Sequence, residues 1–255
     1  MIQVGGLLSL RVTWKRWRAL LLPLGLGLLV ALNRLTNPWD FLLAADSMKM
    51  VALIIVPLYL LIGSRDPIHA WEPLVSIRLG NTVTWWWSDV LSCGVSAILV
   101  SVGLGVVTIL VPFATNGWSW HWGTYTQAQQ LVGIGTIIPW HWAIDALGLL
   151  ALGLWASGVF VHVLTLWWRS AWLPLVFLLL LELLPIIFAS SSATRVIIWS
   201  IPGPQFSLGA HFSSLGTFPP LWSFGYALLM LSATVGVGAL VVGNYPWETI
   251  PHGSL

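Results

Sequence analysis

The stretch SRDPIHAWEPLVSIRLGNTVTWWWS, residues 64–88, is the longest polar-containing segment on the basic side of an otherwise apolar chain, and its reading orients everything around it. Asp66-Pro67 is a helix-start pair, because the Asp side chain accepts from orphan amides and Pro at the first helical position gives up no hydrogen bond. Glu72-Pro73 offers a second start. In a helix opened at Pro67, Pro73 would lack a donor and strike the carbonyl four residues back, so two short pieces or one bent piece are expected. Ile68, Trp71, Val75 and Leu79 recur at helical spacing on one face, leaving His69, Glu72, Ser76 and Asn81 for a polar one. A short amphipathic helix of this kind between two spans rests on headgroups or docks on a cytosolic partner. The run Trp85-Trp86-Trp87 then marks re-entry into the bilayer, at the depth where indole rings prefer to sit.

Composition places the rest of the chain in a membrane. Hydrophobic residues make up 58% and charged residues 7%, against about a quarter charged in soluble domains. The mean hydropathy is +0.89. The 19 tryptophans cluster near the ends of apolar runs, as amphipathic rings seeking the interface should. The single cysteine, Cys93, lies in an apolar run and supports neither a disulfide framework nor a thiolate metal site; it reads as a small hydrophobe. A net charge of +2 carries no signal for nucleic acid, and no basic cluster interleaves with aromatics outside the N-terminal arm, so no nucleic-acid partner is expected.

An all-α membrane protein with six transmembrane helices follows from the apolar runs. Residues 1–18, with Arg11, Lys15, Arg16 and Arg18 among apolar side chains, predict an amphipathic interfacial arm. A signal peptide is the competing reading, but no A-x-A pattern precedes Asn33, so the segment is expected to be retained. The transmembrane body covers 19–243, with spans at Ala19–Leu32, Met48–Ile62, Asp89–Val111, Ala143–Trp168, Ala171–Ala189 and Leu221–Val242, and a tail follows at 244–255. Pro57 predicts a kink in the second span. Asn33–Ser47, Phe113–Trp140 and Ser190–Pro220 read as exposed connections. Seven of the ten Lys and Arg residues (Arg11, Lys15, Arg16, Arg18, Arg65, Arg78, Arg169) fall on one side and three (Arg34, Lys49, Arg195) on the other. The positive-inside rule therefore puts both termini and the 64–88 element in the cytoplasm.

Chemistry-bearing motifs are sparse. No G-x-x-x-x-G-K-[ST] loop is present, so any use of ATP falls to a partner. His141 and His162 are separated by 21 residues of helix, or about 31 Å, which excludes a shared metal. His121 and His141 are close enough in sequence to meet on the outer surface, but interfacial histidines are usually unliganded, and no metal site is expected. Neither H-E-x-x-H nor G-x-S-x-G occurs, so no catalytic residues and no bound cofactor are assigned. Glu182 is the sharpest oddity, since a carboxylate in mid-span faces a partner, a cavity or another subunit. Asp89 and Asp145 lie near span ends and read as interfacial.

The string WEPLVSIRLGNTVTWWWSDVL, residues 71–91, resembles the cytoplasmic loop of bacterial ABC-2 type permeases of bacteriocin and antibiotic-resistance exporters. Trp71, Leu74, Val75, Arg78, Leu79, Gly80, Trp85 and Trp86 match that pattern; Asn81 to Thr84 replace the basic residues that often follow the glycine there. The resemblance implies a permease subunit in the bacterial plasma membrane, paired with an identical or sister permease and with two cytosolic ATP-binding cassette subunits that hold ATP and Mg. It also implies that Ile68, Trp71, Val75 and Arg78 form a coupling helix against the ATPase. A membrane scaffold or sensor, and an intramembrane enzyme, are the alternatives. The topology is tested by Ser76→Cys in a Cys93→Ala background: an impermeant thiol reagent should label it only after cells are opened, and labelling from outside intact cells contradicts the assignment.

Overall fold

A backbone surrounded by apolar side chains has no water to bond, so its polar groups are satisfied within the segment, and helices result. The computed structural model describes residues 25, 37–63, 82–116, 121–123, 137–168, 170, 172–188, 202–208, 211 and 220–244. Among them every regular element is helical. In chain order these are α1 (Pro38–Ala45), α2 (Met48–Met50), a π-helical turn (Val51–Ile55), α3 (Val56–Gly63), α4 (Thr82–Asn116), α5 (Pro139–Trp168), α6 (Trp172–Phe188), α7 (Pro202–Phe206) and α8 (Pro220–Gly243).

Three of these helices are long and apolar enough to cross a bilayer, over Val83–Leu110, Pro139–Trp168 and Pro220–Gly243. Val51–Leu61 and Trp172–Leu184 are shorter apolar helices. The first expected span lies outside the described residues except for Gly25. Leu91, Val95, Ile98, Val102, Val106 and Leu110 form an exposed stripe down α4 at helical spacing. Such a continuous apolar strip belongs against lipid rather than water. The hydroxyls of Ser96, Thr108, Thr165 and Thr234 bond to carbonyls four residues back, at 2.7–2.9 Å. Each of these four hydroxyls is thereby satisfied on its own helix.

Close helix packing comes from small residues facing large ones. A Cβ at Gly94 would stand 2.8 Å from the Trp155 indole, and Trp155 Nε1 donates to the Val90 carbonyl at 2.8 Å. Further along the same α4–α5 seam, Ser101 Oγ donates to Leu147 O at 2.9 Å, and Gly105 lies against the Leu147 side chain. α8 joins this pair where Gly238 admits the Trp86 ring, whose Nε1 donates to Val235 O at 3.2 Å. These contacts set α4 antiparallel to both α5 and α8, so the start of α4 and the ends of α5 and α8 share one end of the bundle. The end of α3 joins them there, through Tyr59 Oη donating to Cys93 O at 3.1 Å.

Several expectations are corrected. Within Asn33–Ser47 the residues from Pro38 to Ala45 form a buried helix rather than an exposed loop. Asn37 caps it, its side chain accepting from Trp39 N at 2.9 Å, and Pro38 opens it; both features are written in the sequence. Asp40 is buried and accepts from Gly123 N at 3.0 Å, while Asn37 Nδ2 donates to His121 O at 2.9 Å. The described part of Phe113–Trp140 is thus tied onto α1, and Trp122 packs edge-on against Trp142, with ring centroids 5.6 Å apart. Helix α4 begins at Thr82, so the three tryptophans lie inside it: Trp86 is fully buried, Trp85 is buried, and Trp87 alone is exposed. The glycine opposite Trp86 makes the burial possible. Within Ser190–Pro220, α7 is a helical turn whose Phe206 fills the space left by Gly153. Ahead of Pro57 stands the π-helical turn, in which Val56 N–H reaches Val51 O. The extra residue in that turn displaces the carbonyl that the proline ring would strike.

Gly238→Ala should therefore lower stability by about 1–3 kcal/mol, because the new methyl has to displace the buried Trp86 ring. A Cβ at Gly236 meets nothing within 4 Å, so Gly236→Ala should be neutral or stabilising by up to about 1 kcal/mol. Thermal unfolding of the two variants in detergent measures this; equal effects would contradict the packing described.

Candidate functional site

Asp89 and Cys93 are one turn apart on α4, at a spacing that stacks side chains on one face. That face meets His162, near the end of α5. Asp89 Oδ2 is hydrogen-bonded to His162 Nδ1, and Cys93 Sγ lies 3.7 Å from the same nitrogen. Trp85, Trp86, Val90, Val159, Val163 and Leu166 wrap the group in apolar packing. The Tyr59 hydroxyl bonded to Cys93 O and the Trp155 indole bonded to Val90 O hold this turn of α4 in place from two sides. The His162 side chain is 4% exposed and that of Asp89 18%, so the carboxylate marks the way in. His162 Nε2 is buried with no partner among the described residues.

That arrangement decides between two chemistries. A nucleophile relay needs the thiol on one ring nitrogen and the orienting carboxylate on the other. Here both converge on Nδ1, so the relay geometry is not formed. The three ligating atoms instead lie within 4.8 Å of one another, which is a chelating arrangement of one sulfur, one nitrogen and one oxygen.

A second polar group lies near the start of α8, toward the opposite end of the bundle. Ser223 Oγ donates to Gln205 Oε1, and His211 Nε2 stands 2.7 Å from the same hydroxyl. The three side chains form one hydrogen-bonded chain centred on the Ser223 hydroxyl. Ser207 Oγ donates to Asp46 O beside it, tying α7 to the turn before α2.

Glu182 lies on α6 in line with the buried Leu175 and Leu178 and is itself fully buried. Neither carboxylate oxygen has a hydrogen-bond partner among the described residues. Ile68, Trp71, Val75 and Arg78, expected to contact an ATPase, lie outside the described residues. Asp89, expected near a span end, is bonded to a buried histidine, and Cys93, expected as a small hydrophobe, packs in an apolar cluster and also neighbours that ring. The Asp89/Cys93 spacing was available as a signal; the choice of His162 among six histidines was not. No family model, no curated protein and no solved structure matches this chain.

A buried polar group without partners costs about 1–3 kcal/mol. Glu182→Leu should recover part of that and raise the unfolding temperature of the purified protein, while Glu182→Gln should leave it near the parent value. If Glu182 serves function rather than folding, the stabilised Leu variant loses activity in cells. A Leu variant that is less stable than the parent contradicts the absence of partners.

Proposed function

We propose that this chain is the membrane-embedded permease subunit of an ATP-binding cassette exporter of the ABC-2 type, residing in a bacterial plasma membrane with both termini in the cytoplasm. Its work requires a second permease, identical or sister, and two cytosolic subunits that bind ATP and Mg and hydrolyse the nucleotide. A peptide, a lipid-like molecule or an antibiotic is the class of cargo. The observation that carries this reading is the residue pattern from Trp71 to Trp86, set between apolar segments in a chain with no nucleotide-binding loop of its own.

The fold supplies a physical route for coupling. The last two residues of the pattern, Trp85 and Trp86, belong to the first turns of α4. Trp86 is sealed against α8 by Gly238 and bonded to Val235 O. A push delivered to residues 64–81 by closing ATPase subunits would then move α4 and α8 together rather than fray a loop. Such a displacement of packed helices is a common way to exchange two arrangements of a membrane bundle. Glu182, buried without a hydrogen-bond partner among the described residues, fits an interior group that acquires one in the second arrangement.

Purification from native membranes tests the proposal: a Walker-motif ATPase should accompany the protein. Trp71→Ala and Arg78→Ala should each weaken that association by about 2 kcal/mol, roughly thirtyfold in Kd. Insertion of the protein should be unaffected. Retention of the ATPase by both variants with unchanged affinity and coupled hydrolysis, or no ATPase with the parent protein, overturns the reading.

A further inference from the structure

We infer that Asp89, Cys93 and His162 form a binding site for a divalent transition-metal ion of the zinc class. The inference stands on the geometry of α4 and α5 and is independent of the transport reading.

Zinc is held tetrahedrally by sulfur, nitrogen and oxygen donors at about 2.0–2.3 Å, which puts neighbouring donors roughly 3.3–3.8 Å apart. Cys93 Sγ and His162 Nδ1 already stand 3.7 Å apart, and all three ligating atoms lie within 4.8 Å of one another. The Asp89 carboxylate, hydrogen-bonded to His162 Nδ1, has to rotate off that nitrogen to let the ion in between the donors. The donors sit on two packed helices, with Trp155 and Tyr59 bonded to the turn that carries Cys93, so the site is built on rigid elements.

Charge points the same way. A thiolate, a carboxylate and a neutral imidazole sum to minus two, so a dication leaves the assembly neutral. Neutrality is what an apolar bundle demands of ionic groups buried in it. On binding, the ion takes the place of the thiol proton and of the proton shared by Asp89 and His162, and both leave to solvent. A sulfur donor argues against magnesium and calcium, which take oxygen ligands. Three protein ligands leave a fourth position for water or another small ligand, on the side where Asp89 reaches the exterior.

The test uses the full-length protein in detergent, stripped with a chelator and then titrated with Co2+ alone. A thiolate-to-cobalt charge-transfer band should grow to saturation at about one ion per chain and bleach when Zn2+ is added, as a site with a sulfur ligand requires. Cys93→Ser, close in size, should abolish the band. Loss of an outer-shell partner alone costs 10–100-fold in metal affinity, so Asp89→Asn and His162→Gln, which remove ligands, should weaken binding by about 100-fold or more. Cys93 is the sole cysteine, so alkylation by a maleimide reports on one thiol: Zn2+ should slow it in the parent and not in His162→Gln. If the thiol is too buried to alkylate, the cobalt band decides alone. No band in the parent protein, or a band that survives Cys93→Ser, overturns the site. Equal Zn2+ protection in the parent and in His162→Gln does the same.

Discussion

The seam between α4 and α5 is the constraint on which the rest of the structure depends. Van der Waals packing and hydrogen bonds drive helix association where the surroundings are as apolar as the side chains. Along this seam both are present at successive levels. Gly94 receives Trp155, which bonds back to Val90; Ser101 bonds to Leu147 O; Gly105 receives the Leu147 side chain. With that register set, Asp89 and Cys93 fall opposite His162, and the buried Trp86 is left facing α8. A slip of one turn between the two helices would break all of these contacts together.

The bundle concentrates its polar chemistry at separate levels. At the end where α4 begins and α5 ends, a thiol, an imidazole and a carboxylate converge. Near the opposite end, Gln205, Ser223 and His211 bond one another, and Asn37 and Asp40 hold His121 and Gly123 onto α1. Glu182 stands apart from both as a carboxylate with no hydrogen-bond partner among the described residues. Polar groups inside apolar helices are costly and persist where they serve pairing, ligation or passage. The second group is joined by side-chain hydrogen bonds. The first group and Glu182 each keep a buried polar atom with no hydrogen-bond partner among the described residues, and the first carries the metal site.

The helical membrane class was legible in the sequence because apolar runs bounded by tryptophan and charge need no tertiary information. The ends of the long helices were less so. Expecting interfacial indoles set the start of the third span at Asp89, seven residues after Thr82, where α4 begins; what buries Trp86 is Gly238, 152 residues away, and no local pattern reports that. Helix α1 was hidden by its acidic and polar letters, although Asn37-Pro38 is a good start signal, because Asp40 becomes affordable inside only when Gly123 N–H meets it. Two of the three residues of the metal-type cluster, Asp89 and Cys93, could be read as neighbours on one helix face. The third, His162, depends on the α4–α5 register.

That register is tested most directly by a cross-link. A Cβ placed at Gly158 on α5 would stand 3.6 Å from Cys93 Cβ on α4, inside the range of about 3.5–4.5 Å that a disulfide spans, and 2.9 Å from the Tyr59 hydroxyl, which has to swing aside. Gly158→Cys, with the native Cys93 as its partner, should form an intramolecular disulfide under mild oxidation in membranes. Intact mass after denaturing alkylation should then show the loss of two hydrogens and no adduct on oxidised protein, with two adducts appearing after reduction. Two freely alkylated cysteines in the oxidised sample would mean that α4 and α5 do not meet at this level, and the site built on their seam would fall with them.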